Sequence, residues 1–195
     1  MQFIEGGNIM AKVYIFLADG FEEIEALTVV DLLRRATIEI SMISITGSLD
    51  VKGAHRITVL ADALFEDTNF EDADLLVLPG GMPGTAHLME HEGLDNLLKE
   101  FHNNKKNLAA ICAAPSVLGS KGFLAGKRAT CYPGFESKLT DSIVVVNQDV
   151  VEDGNVTTSK GLGTAIDFSL SLINKLIDKD TAKRIADSIM YRHYL

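Results

Sequence analysis

Residues Asn107 to Gly119 read Asn-Leu-Ala-Ala-Ile-Cys-Ala-Ala-Pro-Ser-Val-Leu-Gly. Leu108 to Ile111 is a short apolar run of the kind that fills a strand buried on both faces, and Ala113-Ala114-Pro115 then restarts the chain as a helix. Cys112 falls at the joint. A residue there projects from the carboxyl end of a parallel sheet, where open α/β folds place their ligands. Unpaired N–H groups in the helix's first turn favour a thiolate, so a lowered thiol pKa is expected. The amide of Ala113 is free to donate to an oxyanion, and Pro115 suits a first turn, where no N–H is needed. The alternative is that Cys112 is one more small buried hydrophobe, because free cysteine is among the most buried residue types.

Around this stretch lie 195 residues, 47% of them hydrophobic, enough for one sizeable core. Residues 10–195 are therefore expected to form a single α/β domain. A net charge of −9 argues against nucleic acid and anionic membranes as partners. No apolar run approaches about 18 residues and no charged-then-apolar signal segment stands out, so a cytoplasmic location is expected. Two cysteines, Cys112 and Cys131, make neither a disulfide framework nor a metal site. Met1 to Ile9 precede the first periodic pattern and are expected to lie outside the fold, either as a disordered tail or as a non-native extension. Glu5-Gly6-Gly7-Asn8-Ile9-Met10 back-translates into the layout of a ribosome-binding site before a start codon, which would move the start to Met10.

Toward the amino terminus, Val13 to Leu17 is a buried strand. Ala18-Asp19-Gly20-Phe21 turns it into a helix from about Glu22 to Arg35 that is expected to bury Ile24, Leu27, Val30, Leu32 and Leu33. Glu22, Glu23 and Glu25 suit the positive end of that helix, and dipole compensation alone would explain any one of them. Ile38 to Ile45 reads as a strand, and Val51 to Leu60 as a short hairpin or edge excursion around Gly53. Leu75 to Leu78 is a core strand ending in Pro79-Gly80-Gly81-Met82-Pro83-Gly84, either an amide-rich edge to a crevice or a tight turn with nothing bound. Leu94 to His102 reads as a helix.

Toward the carboxyl terminus, Lys127 to Cys131 and Ile143 to Asn147 read as strands. Val150-Val151 and Val156 to Thr158 flank a hairpin turn, and Ala165 to Leu176 and a segment after Asp180 read as helices. The glycine-bearing turns and the cysteine joint all follow strands, as a single α/β crevice requires.

Four stretches occur together in the order and spacing of the ThiJ/PfpI superfamily: Ala18 to Ala26, Leu78 to Gly81, Ala110 to Pro115 and Thr158 to Thr164. The chain resembles its branch around the parkinsonism-linked DJ-one protein and bacterial relatives, from Met10 to about Leu176. The resemblance implies a flavodoxin-like sandwich akin to class I glutamine amidotransferases, with a mostly parallel central sheet and helices on both faces, usually as a homodimer. It also implies a reactive cysteine at Cys112, a protonated glutamate at Glu25 that donates to the thiolate, and an oxyanion hole from the amides of Gly81 and Ala113. A carboxyl buried beside a thiolate has a raised pKa, so in neutral form it donates instead of repelling.

The implied chemistry is a glyoxalase III or deglycase reaction on dicarbonyls such as methylglyoxal, without metal or organic cofactor. The rival is a redox-responsive protein, with peroxide as its small-molecule partner, whose Cys112 oxidises to sulfinate without turnover. A thiazole monophosphate biosynthesis label, holdase chaperone activity and a protease or amidase rank below these. Two departures qualify the likeness. Tyr132 stands where relatives often carry a histidine, and Ala113 stands where protease-like relatives carry one directly after the cysteine, so a Cys-His dyad of that kind cannot form. His55 aligns with a basic residue near the family's dimer interface and is either an accessory proton donor or a surface residue. His87, His91 and His102 read as solvated. Cys131 is either a resolving thiol for Cys112 or a strand cysteine packed in the core.

Overall fold

A computed structural model describes residues 11–193 of the chain, so the expectation for Met1 to Ile9 lies outside the described residues. In chain order the elements are β1 (Lys12–Leu17), α1 (Glu23–Arg35), β2 (Glu39–Ser44), β3 (Asp50–Lys52), β4 (Thr58–Leu60), β5 (Ala63–Leu64) and β6 (Leu75–Leu78). There follow α2 (Gly84–Glu90), α3 (Glu92–Asn103), β7 (Asn107–Ile111), α4 (Pro115–Ser120), β8 (Arg128–Ala129), β9 (Ile143–Val144), β10 (Val150–Asp153), β11 (Val156–Ser159), α5 (Ala165–Leu176) and α6 (Lys179–Ser188).

Seven strands form the main sheet in the order β10-β11-β7-β6-β1-β2-β5. All neighbours run parallel except β10, which returns antiparallel to β11 across the expected hairpin. The central strands are apolar without alternation because helices cover both faces. Val13, Ile15, Leu17, Leu75, Val77, Ala109 and Ile111 point into a cluster with α1, α5 and α6. Tyr14, Phe16, Leu76, Leu78, Leu108 and Ala110 point the other way, onto α3 and α4. This is the flavodoxin-like sandwich that the sequence implies. Strand order reverses between β1 and β6, so the turns after β1, β6 and β7 open on one crevice at the carboxyl ends of the strands.

Three expectations are corrected. On α1, Ala26, Val29, Val30 and Leu33 form the stripe that meets the sheet, which turns Ile24 and Leu27 outward, 51% and 36% exposed. Glu23 and Glu25 are buried instead. The strands expected at Lys127 to Cys131 and Ile143 to Asn147 shrink to β8 and β9, paired only with each other. The backbone beyond them is committed elsewhere: Thr130 N–H donates to Thr158 Oγ1 at 2.9 Å and Tyr132 N–H to the Cys112 carbonyl at 2.8 Å. The glycine turn after β6 runs straight into α2, a helix not expected from the sequence.

Candidate active site

Cys112 directly follows β7 with φ of 66°, a left-handed conformation; Ala113 and Ala114 follow before Pro115 opens α4. Such a backbone stores roughly 1–2 kcal/mol of strain and lifts the side chain out of the strand. Cys112 is half-buried and lies beside Glu25 from α1, since a Cβ on Gly80 would stand 3.0 Å from Cys112 Sγ and 2.7 Å from Glu25 Oε2, and the amides of Ala113 and Gly81 favour its ionised form. The structure therefore brings together Cys112, Glu25, Gly81 and Ala113.

Glycines are required at this crossing. A Cβ on Gly80 would stand 2.5 Å from Cys112 Cβ and 2.7 Å from Glu25 Oε2. Gly81 adopts φ of +91°, and a Cβ there would lie 2.3 Å from the Glu22 nitrogen. Two hydrogen bonds hold the turn: Glu22 N–H donates to the Gly80 carbonyl at 2.9 Å, and Gly80 N–H donates to the Glu25 side chain at Oε2 at 2.9 Å. In a trans peptide C=O and N–H point opposite ways, so fixing the Gly80 carbonyl toward α1 turns the Gly81 N–H toward the sulfur. The Gly80 amide and the Glu22 backbone are site components that sequence reading missed; the paired glycines at a strand's carboxyl end were their only signal.

Glu25 is 1% exposed. Burial pushes it up to about 7, against the opposing pull of the Cys112 and Gly80 hydrogen bonds, with the Glu22 charge adding to the rise. Burial, then the Glu25 charge, push the Cys112 thiol up to about 12, while the Ala113 and Gly81 amides pull it down. The lowered thiol pKa expected from the helix start is thus reversed: α4 begins three residues later, and a carboxylate faces the sulfur. The Glu25 charge is one of the causes that raise the thiol, so protonating Glu25 eases ionisation of Cys112 and the two groups titrate as a coupled pair.

Tyr132 is half-exposed beside the site. Its ring packs against Gly161, where a Cβ would meet Cδ2 at 3.2 Å and Glu25 Oε1 at 3.7 Å. Cys131 is buried in the cluster on the opposite sheet face from the one Cys112 packs against, and borders a cavity of about 100 Å³ with Thr130, Pro133 and Glu136. Burial and then the Glu136 charge push its thiol up to about 11. His55 stands apart from Cys112. Its Nδ1 lies 2.9 Å from Glu23 Oε2 and 3.6 Å from Glu22 Oε1. Among the described residues, Glu22, Glu23 and His55 are the group whose potential metal-ligand atoms lie within 4.8 Å of one another; as they stand, they form an ion pair.

Of the histidines read as solvated, His87 is exposed, with Nδ1 2.9 Å from the Asp19 carbonyl. The other two are corrected. His91 caps α3 by accepting from Leu94 N–H at 3.0 Å, and His102 stacks on Phe123 at 4.4 Å, because each faces an apolar neighbour across a helix end.

Residues 11–175 match the DJ-1/PfpI family model. The chain belongs to the DJ-1/PfpI family. It is 36% identical to Protein DJ-1 homolog B of Arabidopsis thaliana over 182 residues, 93% of this chain but 42% of that protein, so it spans less than half the length of that curated relative. It is 33% identical over 150 residues to a protein of Pyrococcus abyssi named a deglycase, covering 76% of this chain and 89% of the relative. Oxidised DJ-1 of Toxoplasma gondii superposes with a TM-score of 0.90 at 35% identity, over 94% of this chain and all (100%) of that one. No helix among the described residues is long and apolar enough to cross a membrane.

Proposed function

We propose that this DJ-1/PfpI family member is a cofactor-free cysteine enzyme of the glyoxalase III or deglycase type, acting on reactive dicarbonyls such as methylglyoxal. One observation carries the reading: the buried Glu25 carboxyl and the Cys112 sulfur converge on Gly80, where a Cβ would lie 2.7 Å from Glu25 Oε2 and 3.0 Å from Cys112 Sγ, beside the Gly81 and Ala113 backbone. In the proposed reaction the Cys112 thiolate adds to the aldehyde carbon, and the new oxyanion is held by those amides and protonated to a hemithioacetal. Glu25, now ionised, removes the proton from that carbon to give an enediol, exchanges it with water, and then protonates the neighbouring carbon. The product is a thioester of a hydroxy acid. Water hydrolyses it, releasing lactate from methylglyoxal and restoring the thiol.

A homodimer is part of the proposal. Ile24, Leu27, Ile166 and Ile189 line an exposed groove along α1, α5 and α6 that supports it. The archaeal relative's deglycase name supports the substrate class. The test is lactate formation from methylglyoxal by wild type, Cys112→Ala and Glu25→Gln. Turnover by wild type alone upholds the reading; stoichiometric dicarbonyl loss without lactate sinks it. The second reading, a redox response through Cys112 sulfinate, is favoured by an only partly buried Cys112 beside a carboxyl able to donate to it. Sulfinate formation at low peroxide, in a protein without turnover, would move it ahead.

A further inference from the structure

Glu23 lies outside the Cys112 crevice and is only 2% exposed. Its Oε1 accepts from His55 N–H at 2.8 Å, and its Oε2 faces His55 Nδ1 at 2.9 Å. The β3–β4 hairpin closes directly on it, for a Cβ on Gly53 would lie 2.3 Å from the Glu23 side chain. Further bonds clasp the hairpin to the turn before α1: Gly20 N–H to the Lys52 carbonyl at 2.7 Å, and Ala54 N–H to the Phe21 carbonyl at 2.8 Å. The clasped segment carries Glu22, whose amide orients the Gly80–Gly81 peptide, and leads within two residues of Glu23 to Glu25.

We propose that His55 is a positioning residue for the Cys112 site, holding the first turn of α1 through its charge, so that Cys112 reactivity falls when the imidazolium loses its proton. The proposal rests on Cys112 being the reactive thiol and on no particular substrate. The carboxylates facing the ring are Glu23 and, at 3.6 Å, Glu22; the nearby Asp19 carboxylate is engaged by Lys52 N–H at 2.9 Å. Burial works to raise Glu23, yet the His55 hydrogen bond and the His55 and Ile57 amides together hold it below the usual carboxylate range. The Glu23 hydrogen bond and the two carboxylate charges raise His55 above the ordinary imidazole value of 6.5. Its contribution is therefore complete below 6.5 and lost as pH rises through the raised value. The buried carboxylate then keeps its amide partners and, in the Nδ1–H tautomer, a neutral donor, but loses the opposite charge.

The experiment measures the rate of Cys112 alkylation by iodoacetamide from about pH 6 to about pH 9, a range that brackets imidazole titration. Wild type is compared with His55→Arg, which stays charged, and His55→Gln, which is never charged. Peptide mapping assigns the label, and circular dichroism melts verify the fold. The wild-type rate should match His55→Arg at the acid end and fall about threefold below it at the alkaline end, the range an exposed ion pair commands. His55→Gln should be slow at the acid end and meet wild type at the alkaline end. A wild-type to His55→Arg ratio that stays constant while Cys112 reacts would overturn the role of His55. A Cys112 that resists alkylation in wild type would instead overturn the nucleophile reading, and this proposal with it.

Discussion

Replacing Glu25 with glutamine keeps the size of the side chain and its acceptance from the Gly80 N–H, while removing an ionisation from the interior. Burial pushes the carboxyl from the ordinary 4.5 up to about 7, so ionising it inside the folded protein costs about 3 kcal/mol relative to the open chain. The sign follows from the raised value. The neutral form is favoured by folding, so its contribution is complete below 4.5 and is lost as pH rises to about 7. Glutamine never ionises. Glu25→Gln should therefore lack this loss, so that in urea unfolding wild type weakens more than the variant as pH rises. The gap between them should widen by about 3 kcal/mol between about pH 4 and about pH 8, with the variant the more stable at the alkaline end. Urea unfolding at a series of pH values, followed by circular dichroism, measures it. A gap independent of pH, or one that widens toward acid, would refute the claim that burial holds a proton on Glu25.

Gly81→Ala should lower turnover on methylglyoxal by about 100-fold, the order expected on losing one oxyanion donor, because the added Cβ would meet the Glu22 nitrogen at 2.3 Å and shift the peptide; kcat and KM measured separately should place the loss in kcat. Ile24→Asp should convert a dimer to monomer in sedimentation velocity without lowering the melting temperature of the monomer, since Ile24 is 51% exposed on the outward face of α1. Mild peroxide should give sulfinate on Cys112 with Cys131 untouched, as the two pack against clusters on opposite faces of the sheet; a Cys112–Cys131 disulfide in peptide mapping would contradict that.

The core strands were legible because both their faces are covered: Val13 to Leu17, Leu75 to Leu78 and Leu108 to Ile111 carry apolar residues with no alternation to obscure them. The direction of α1 was not. Ile24 and Leu27 are as apolar as Val29 and Val30, and only the packing of Ala26 and Leu33 on the sheet decides which stripe faces inward. Cys112 and the glycines were readable as residue types at strand ends. The thiol shift was not, because burial and the Glu25 charge, which set it, arise from an approach between residues distant in sequence. The same holds for His55: dipole compensation alone would explain Glu23 at a helix start, and only the hairpin closing over it makes the two partners.

The most direct measurement of the central claim is the reaction of methylglyoxal in deuterium oxide, followed by proton magnetic resonance of the lactate. A proton carried by Glu25 between the two carbons exchanges with solvent, so wild type should release lactate deuterated at the carbon bearing the hydroxyl, and neither Cys112→Ala nor Glu25→Gln should release lactate. Lactate retaining protium at that carbon, or formed equally well by either variant, would contradict the account.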